Sequence, residues 1–184
     1  YGQHPIAPDI FITQEKETSK WSKSSQSCDN ISPMILKELA DEIASILQLI
    51  FKRSYDTGEV PTLWKTANAA QYLKKGNKFE PINYRPISLT CICCKIMEHI
   101  ITSHIMCHAD NNTILYDLQH GFRKKLSCET QLIECIDDII KNLDNGQQTD
   151  CLSMDSSKAS QQGHHSLLTH KLQHYGITGK TNNW

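Results

Sequence analysis

The sequence has no long apolar run. A membrane-spanning helix needs roughly 18 to 20 consecutive apolar residues, and the longest candidate, Ile46 to Phe51, is a short piece of an amphipathic pattern. No basic-then-apolar leader opens the chain. Neither sign of charge is in surplus: 19 Lys and Arg stand against 20 Asp and Glu, a net charge of −1. That balance excludes a strongly basic DNA-coating protein and an acidic tail protein. An initiating Met is also missing. The chain opens on Tyr1 and stops on Trp184, which reads as a piece cut from something longer. Without a leader, the eight cysteines are expected to be reduced thiols in an intracellular setting, nucleus or cytoplasm.

What is present fits one domain. At about 150 residues per domain, 184 residues give a single unit, or one unit plus a tail. With 39% hydrophobic and 21% charged residues, the composition is not that of a disordered chain. Residues 1–30 are rich in Ser, Lys, Gln and Thr and carry little periodicity. They read as a loosely packed lead-in, with the domain proper over 31–184.

Local signals divide the rest. Ser32 offers an N-cap and Pro33 a first helical residue. Leu36, Leu39, Ala40, Ile43, Leu47, Ile50 and Phe51 then recur at helical spacing. Lys52 and Arg53 suit a last turn, where cations complement the helix dipole, and Gly58 and Pro61 mark the exit. Thr66–Leu73 and Arg85–Leu89 read as short strands around a Lys75-Gly76-Asn77-Lys78 turn. Helices are expected over about Cys91–Ala109 and Cys128–Leu143. The first presents Ile96, Met97, Ile100, Ile101 and Ile105. The second is capped by Ser127, with Leu132, Ile133, Ile136, Ile139, Ile140 and Leu143 turned inward. Cys151–Met154 reads as a strand ending at Asp155, and Ser166–Tyr175 as a last helix closed by Gly176. The order of elements predicts an α+β domain.

The near-neutral total hides a local excess. Between Pro61 and Ile100, six basic residues (Lys65, Lys74, Lys75, Lys78, Arg85, Lys95) face only Glu80 and Glu98, a local charge of +4. Lys74 and Lys75 flank a glycine turn, where side chains and exposed backbone N–H groups can reach phosphates together. A second cluster, Arg123-Lys124-Lys125, follows Gly121-Phe122 just before a predicted helix N-terminus. Taken alone, each is equally a solvated basic turn.

Two runs carry a family resemblance. "NYRPISLTCICCKIMEHII" (Asn83 to Ile101) and "QHGFRKKLSCETQL" (Gln119 to Leu132) resemble the reverse transcriptase of non-LTR, LINE- or jockey-type retrotransposons. "LKELADEIA", "SYDTGEVPTLWKTA", "LKKGNK" and "LLTHKLQHYGITG" resemble the same family, so the likeness covers about residues 29–184. It implies the fingers and the N-terminal palm portion of a right-hand polymerase fold. It also implies Mg²⁺-dependent, RNA-directed DNA synthesis by the parent enzyme, whose partners would be an RNA template, a DNA primer and a dNTP. Asp155, ending "CLSMD", matches the first metal-binding catalytic aspartate, and Mg²⁺ prefers such hard oxygen ligands. Arg123 matches the arginine that contacts the nucleotide triphosphate, with Lys124 beside it. Lys74 and Lys75 match a fingertip basic pair. Arg85 matches the arginine of the "NYRPISL" motif, where bracing the fingers competes with a nucleic-acid contact.

The sequence also departs from the family pattern. The first catalytic motif, D-F-S-K-A-F-D, stands here as Asp155-Ser156-Ser157-Lys158-Ala159-Ser160-Gln161. Both aromatic positions and the second aspartate are lost, and of the stretch that follows only His165 matches. The "GPDG" turn appears as Ser27-Cys28-Asp29-Asn30. No Asp-Asp pair follows Asp155, and Asp137-Asp138 precedes it in a helix, where it reads as a solvated face. One carboxylate does not organise a two-metal site, so the chain alone is expected not to polymerise. Its alternatives are a non-catalytic nucleic-acid-binding module or the relic of a decayed element.

Other constellations are weaker. Cys91 and Cys94 form a C-x-x-C followed by His99, His104, Cys107 and His108. These positions wind around one predicted helix, whereas zinc ligands normally come from two elements. A redox role lacks a βαβ context. Cys128 with His120 lacks a third group for nucleophilic chemistry. His164, His165, His170 and His174 read as surface residues.

Overall fold

Ser32 and Pro33 start the first helix as their chemistry dictates. The Ser32 hydroxyl accepts the Met34 N–H at 3.3 Å, and Pro33 needs no donor there. The computed structural model describes residues 5–8, 10, 28–155 and 163–184. Helix α1 (Pro33–Glu38) is interrupted at Leu39 (φ −95°, ψ 16°), and α2 (Ala40–Thr57) continues to Gly58. Gly58 takes the left-handed conformation at φ 71°. The single helix expected here is thus two, and its end lies beyond Lys52 and Arg53. Lys52 bonds Asp56 one turn on, at 2.6 Å, rather than the helix terminus.

A single turn of tighter helix, Thr62–Lys65, leads into the hairpin of β1 (Asn68–Leu73) and β2 (Tyr84–Leu89). The strands are antiparallel, pairing Asn68 with Leu89, Gln71 with Pro86 and Leu73 with Tyr84. Helix α3 (Ile92–Asn111) follows, its first turn capped by the Cys91 thiol accepting the Cys94 N–H at 3.4 Å. Helix α4 (Cys128–Asp144) carries a capping box: Ser127 accepts the Thr130 N–H and the Thr130 hydroxyl accepts the Ser127 N–H. Helix α5 (His165–His174) and a short α6 (Gly179–Asn183) close the described chain. Mixed helix and strand agree with the α+β expectation. Helix α6 was not foreseen.

The core lies where α2, α3 and the Thr62–Lys65 turn meet. Phe51, Tyr55, Trp64, Cys91, Cys94, Met97 and Ile101 are buried together, with Met97 fully enclosed. Phe51 and Trp64 meet edge to face, centroids 5.7 Å apart. Residues far apart in sequence lock onto this body. The Trp184 indole N–H donates to Ser54 Oγ at 2.8 Å, and the Tyr55 and Thr181 hydroxyls share a bond of 2.8 Å. Asp56 sits between Lys180 and Lys52, and hydrogen bonds from these two, Lys180 first, hold its carboxyl below the usual range.

Three findings bear on these expectations. First, the described residues of the lead-in make contacts with the rest of the chain. The Ala7 N–H donates to Gly176 O at 2.8 Å, and the Ile10 N–H donates to Tyr55 Oη at 3.1 Å. His104 Nε2 also donates to Pro8 O at 2.7 Å. Gly176 (φ 85°) has no room for a side chain, since a Cβ would lie 2.1 Å from Pro5 O. Second, Cys151–Met154 forms no strand. A strand exists by pairing, and among the described residues only β1 and β2 pair. Third, α4 does form, but its apolar residues do not turn inward. Leu132, Ile133 and Leu143 are each more than 60% exposed, and Ile136 and Ile140 are about half exposed. Periodicity creates an apolar face, but does not provide what covers it.

The thiol environments follow from the same packing. Burial pushes Cys94 up to about 12 and Cys93 up to about 11, and it also raises Cys91. Unfolded thiols titrate near 9, so the native state retains protons that the unfolded state has lost once the pH passes 9. Stability from these groups is therefore complete below about pH 9 and is lost as pH rises toward 12. Tm is expected to fall between pH 8 and pH 10.5. In native protein at pH 8, alkylation should reach the exposed Cys107, Cys128, Cys135 and Cys151 and spare Cys91 and Cys94.

Candidate nucleic-acid interface

The hairpin turn is built by one asparagine. Asn83 Nδ2 donates to Asn77 O at 2.9 Å and to Glu80 Oε2 at 3.2 Å, while its carbonyl accepts the Lys74 N–H at 2.9 Å. Asn77 Oδ1 accepts the Phe79 N–H at 3.0 Å, and Tyr84 Oη donates to Lys78 O at 2.8 Å. Gly76 sits at φ 90°, and a Cβ there would lie 2.9 Å from Asn83 Nδ2. The turn is thus fixed from five directions, although every residue from Gln71 to Ile82 is exposed.

Lys74 and Lys75 stand at this turn, and neither ion-pairs with any described residue. Arg85 lies on β2 opposite Tyr72, exposed and likewise without an acidic partner. Strand alternation puts Tyr72, Arg85 and Ile87 on one face and Gln71, Tyr84 and Pro86 on the other. The second face and the turn enclose a groove of about 390 Å³ lined by Gln71, Lys78, Phe79, Pro81, Tyr84 and Pro86. Lys78 Nζ lies 5.2 Å from the Phe79 ring centroid. Sequence reading missed this groove. Its only signal is Lys78-Phe79 two residues before Pro81, beside a tyrosine at the start of β2.

The second basic loop precedes α4. His120 anchors it: the side chain is buried, Nε2 donates to Glu134 Oε2 at 2.8 Å, and Nδ1 shares a 2.8 Å bond with Thr130 Oγ1. The backbone then makes two left-handed turns at non-glycine residues, Phe122 (φ 63°) and Lys125 (φ 66°). Phe122 is fully exposed. Arg123 is half-buried; its Nη1 donates to Tyr116 O at 3.3 Å and its Nη2 lies 3.7 Å from Asp110 Oδ1. Lys124 is exposed. The structure thus brings Lys74, Lys75 and Arg85 together on the hairpin, and Arg123 with Lys124 on the loop. No hydrogen bond or ion pair among the described residues joins the two groups.

Asp155 is exposed and lies outside any helix or strand. Lys158, Ser160 and Gln161 lie outside the described residues. Among the described residues no group of three or more His, Cys, Asp and Glu side chains is arranged to hold a metal ion. Asp155 is also the last acidic residue in the sequence. The described residues do not fit a two-metal centre, which needs several carboxylates around the ions. Asp137 pairs with Lys141 on the surface of α4 and raises that lysine's pKa. His164, His165, His170 and His174 are exposed. No helix among the described residues is long and apolar enough to cross a membrane.

Comparison with known proteins bears out the resemblance read from the motifs. The chain is 28% identical over 162 residues to the probable RNA-directed DNA polymerase from transposon BS of Drosophila melanogaster. That match spans 84% of this chain and 18% of the relative. It is 26% identical over 146 residues to the RNA-directed DNA polymerase from mobile element jockey of the same organism, spanning 79% of this chain and 16% of the relative. A third relative, the probable RNA-directed DNA polymerase from transposon X-element of D. melanogaster, is 27% identical over 79% of this chain and 16% of its own length. The chain thus spans less than a fifth of the length of the curated relatives it matches. No family model matches the sequence.

Proposed function

We propose that this chain corresponds to the fingers and the N-terminal palm portion of a non-LTR retrotransposon reverse transcriptase. In a longer enzyme of that type, Lys74, Lys75, Arg85, Arg123 and Lys124 would grip the phosphates of template RNA and incoming nucleotide. The observation that carries this reading is the likeness to three RNA-directed DNA polymerases over about four fifths of the chain, with the unpaired cations of the hairpin inside that span. The chain by itself is a nucleic-acid-binding module and not a polymerase, because Asp155 has no carboxylate partner after it.

Two measurements on the purified chain test this. Primer extension on an RNA template with Mg²⁺ and dNTPs should give no product; Mg²⁺-dependent extension would overturn the non-catalytic reading. Photocrosslinking of a 4-thiouridine-bearing single-stranded RNA should place adducts within Gln71–Pro86 and Gly121–Lys125. Adducts confined to the exposed apolar face of α4 would overturn the assignment of the basic loops.

A further inference from the structure

We infer that the groove on the hairpin is a stacking subsite for one base of a single-stranded nucleic acid, with Phe79 as its platform and Lys78 as its phosphate contact. The inference rests on the nucleic-acid reading above and names the part of the ligand that the hairpin takes. Phe79 is 81% exposed. An aromatic ring left in water on a turn fixed by Asn77, Asn83 and Tyr84 does nothing for the core, so its exposure calls for another explanation.

The groove supplies three things a base requires. Phe79 and Tyr84 offer ring surface, and Pro81 and Pro86 offer apolar walls. Gln71 offers an amide that can both donate to and accept from a base edge. Lys78 Nζ lies over one face of the Phe79 ring, 5.2 Å from its centroid, which puts a cation at the platform where a strand's phosphate would run and leaves a base the ring's other face. The groove, about 390 Å³ and open to solvent, has room for a single planar base. Tyr84 Oη is occupied by Lys78 O, so Tyr84 presents its ring and not its hydroxyl. The one acidic group on the turn, Glu80, is engaged by Asn83. A duplex keeps its base faces stacked and cannot use such a platform, so the ligand is single-stranded. Proline-rich peptides also dock on aromatic grooves, but the local charge of +4 favours a polyanion.

The test is fluorescence anisotropy with the whole chain, a 12-nucleotide single-stranded RNA, and an abasic strand of the same length. Removing a base–aromatic stack weakens binding about 5- to 100-fold. The abasic strand should bind weaker by that factor. Phe79→Ala should weaken the base-bearing RNA by a similar factor and leave the abasic strand unchanged. Because Phe79 is mostly exposed, this variant should keep the circular dichroism and Tm of the parent chain. If both strands bind equally and Phe79→Ala changes neither, the subsite is overturned while the nucleic-acid reading stands. If neither strand binds, both fail. If a proline-rich decapeptide binds in a Phe79-dependent way and RNA does not, the groove is a peptide site and the inference is wrong.

Discussion

Trp64→Ala is expected to lower the unfolding free energy by about 3 to 5 kcal/mol, the range for removing a large aromatic from a packed core. Trp64 is buried against Phe51 at 5.7 Å, and its carbonyl lies 3.8 Å from the Cys94 thiol, which donates to it. The indole belongs to the buried cluster that joins residues of α2 to residues of α3. A domain of this size has only about 5 to 15 kcal/mol in total, so the variant should unfold at much lower denaturant or fail to fold at 37 °C. Ile136→Ala on α4 is the control. That side chain is about half exposed among the described residues, so its loss should change stability by less than about 0.5 kcal/mol. Urea unfolding followed by circular dichroism checks both. Equal effects would mean that the core is not where the packing puts it.

His120→Ala is expected to cost about 1 to 3 kcal/mol, since it removes two hydrogen bonds made by a buried side chain. The imidazole ties the Gly121–Leu126 loop to two points on α4, Thr130 and Glu134. Without it, nothing on the helix side counters the left-handed backbone at Phe122 and Lys125. Amide exchange at Gly121–Leu126 should therefore accelerate in the variant, while exchange in α2 and α3 stays close to that of the parent chain. An unchanged loop would show that Arg123, through Tyr116 and Asp110, is sufficient to hold it.

Local features were legible in the sequence and distant ones were not. Ser32-Pro33, Ser127 and Gly58 act within one helical turn, so residue chemistry alone located the helix ends they set. The hairpin was legible because its Gly76 turn and flanking strands lie close together in the chain. Its knot was not, since Asn83 reaches back six residues to Asn77. The bond between Trp184 and Ser54 and that between Tyr55 and Thr181 each span more than 120 residues, and no periodicity reports them. The misread strand at Cys151–Met154 and the outward face of α4 share one cause. Pattern shows what an element could pair with or bury, while the outcome depends on the neighbours the fold supplies. The candidate site divides in the same way. Lys74, Lys75, Arg85, Arg123 and Lys124 could be picked from motif and charge, but the groove beneath Phe79 and the His120 anchor needed three-dimensional contacts.

The most direct test of the account is the salt dependence of single-stranded RNA binding by the whole chain. Each phosphate neutralised on a single strand contributes about −0.7 to the slope of log K against log salt concentration. With up to six cations engaged, Lys78 among them, the slope should fall between about −2 and −4, and Lys74→Ala, Lys75→Ala and Arg123→Ala combined should reduce its magnitude by about 2. A slope near zero, or one that the triple variant leaves unchanged, would contradict the assignment of these loops as a nucleic-acid interface.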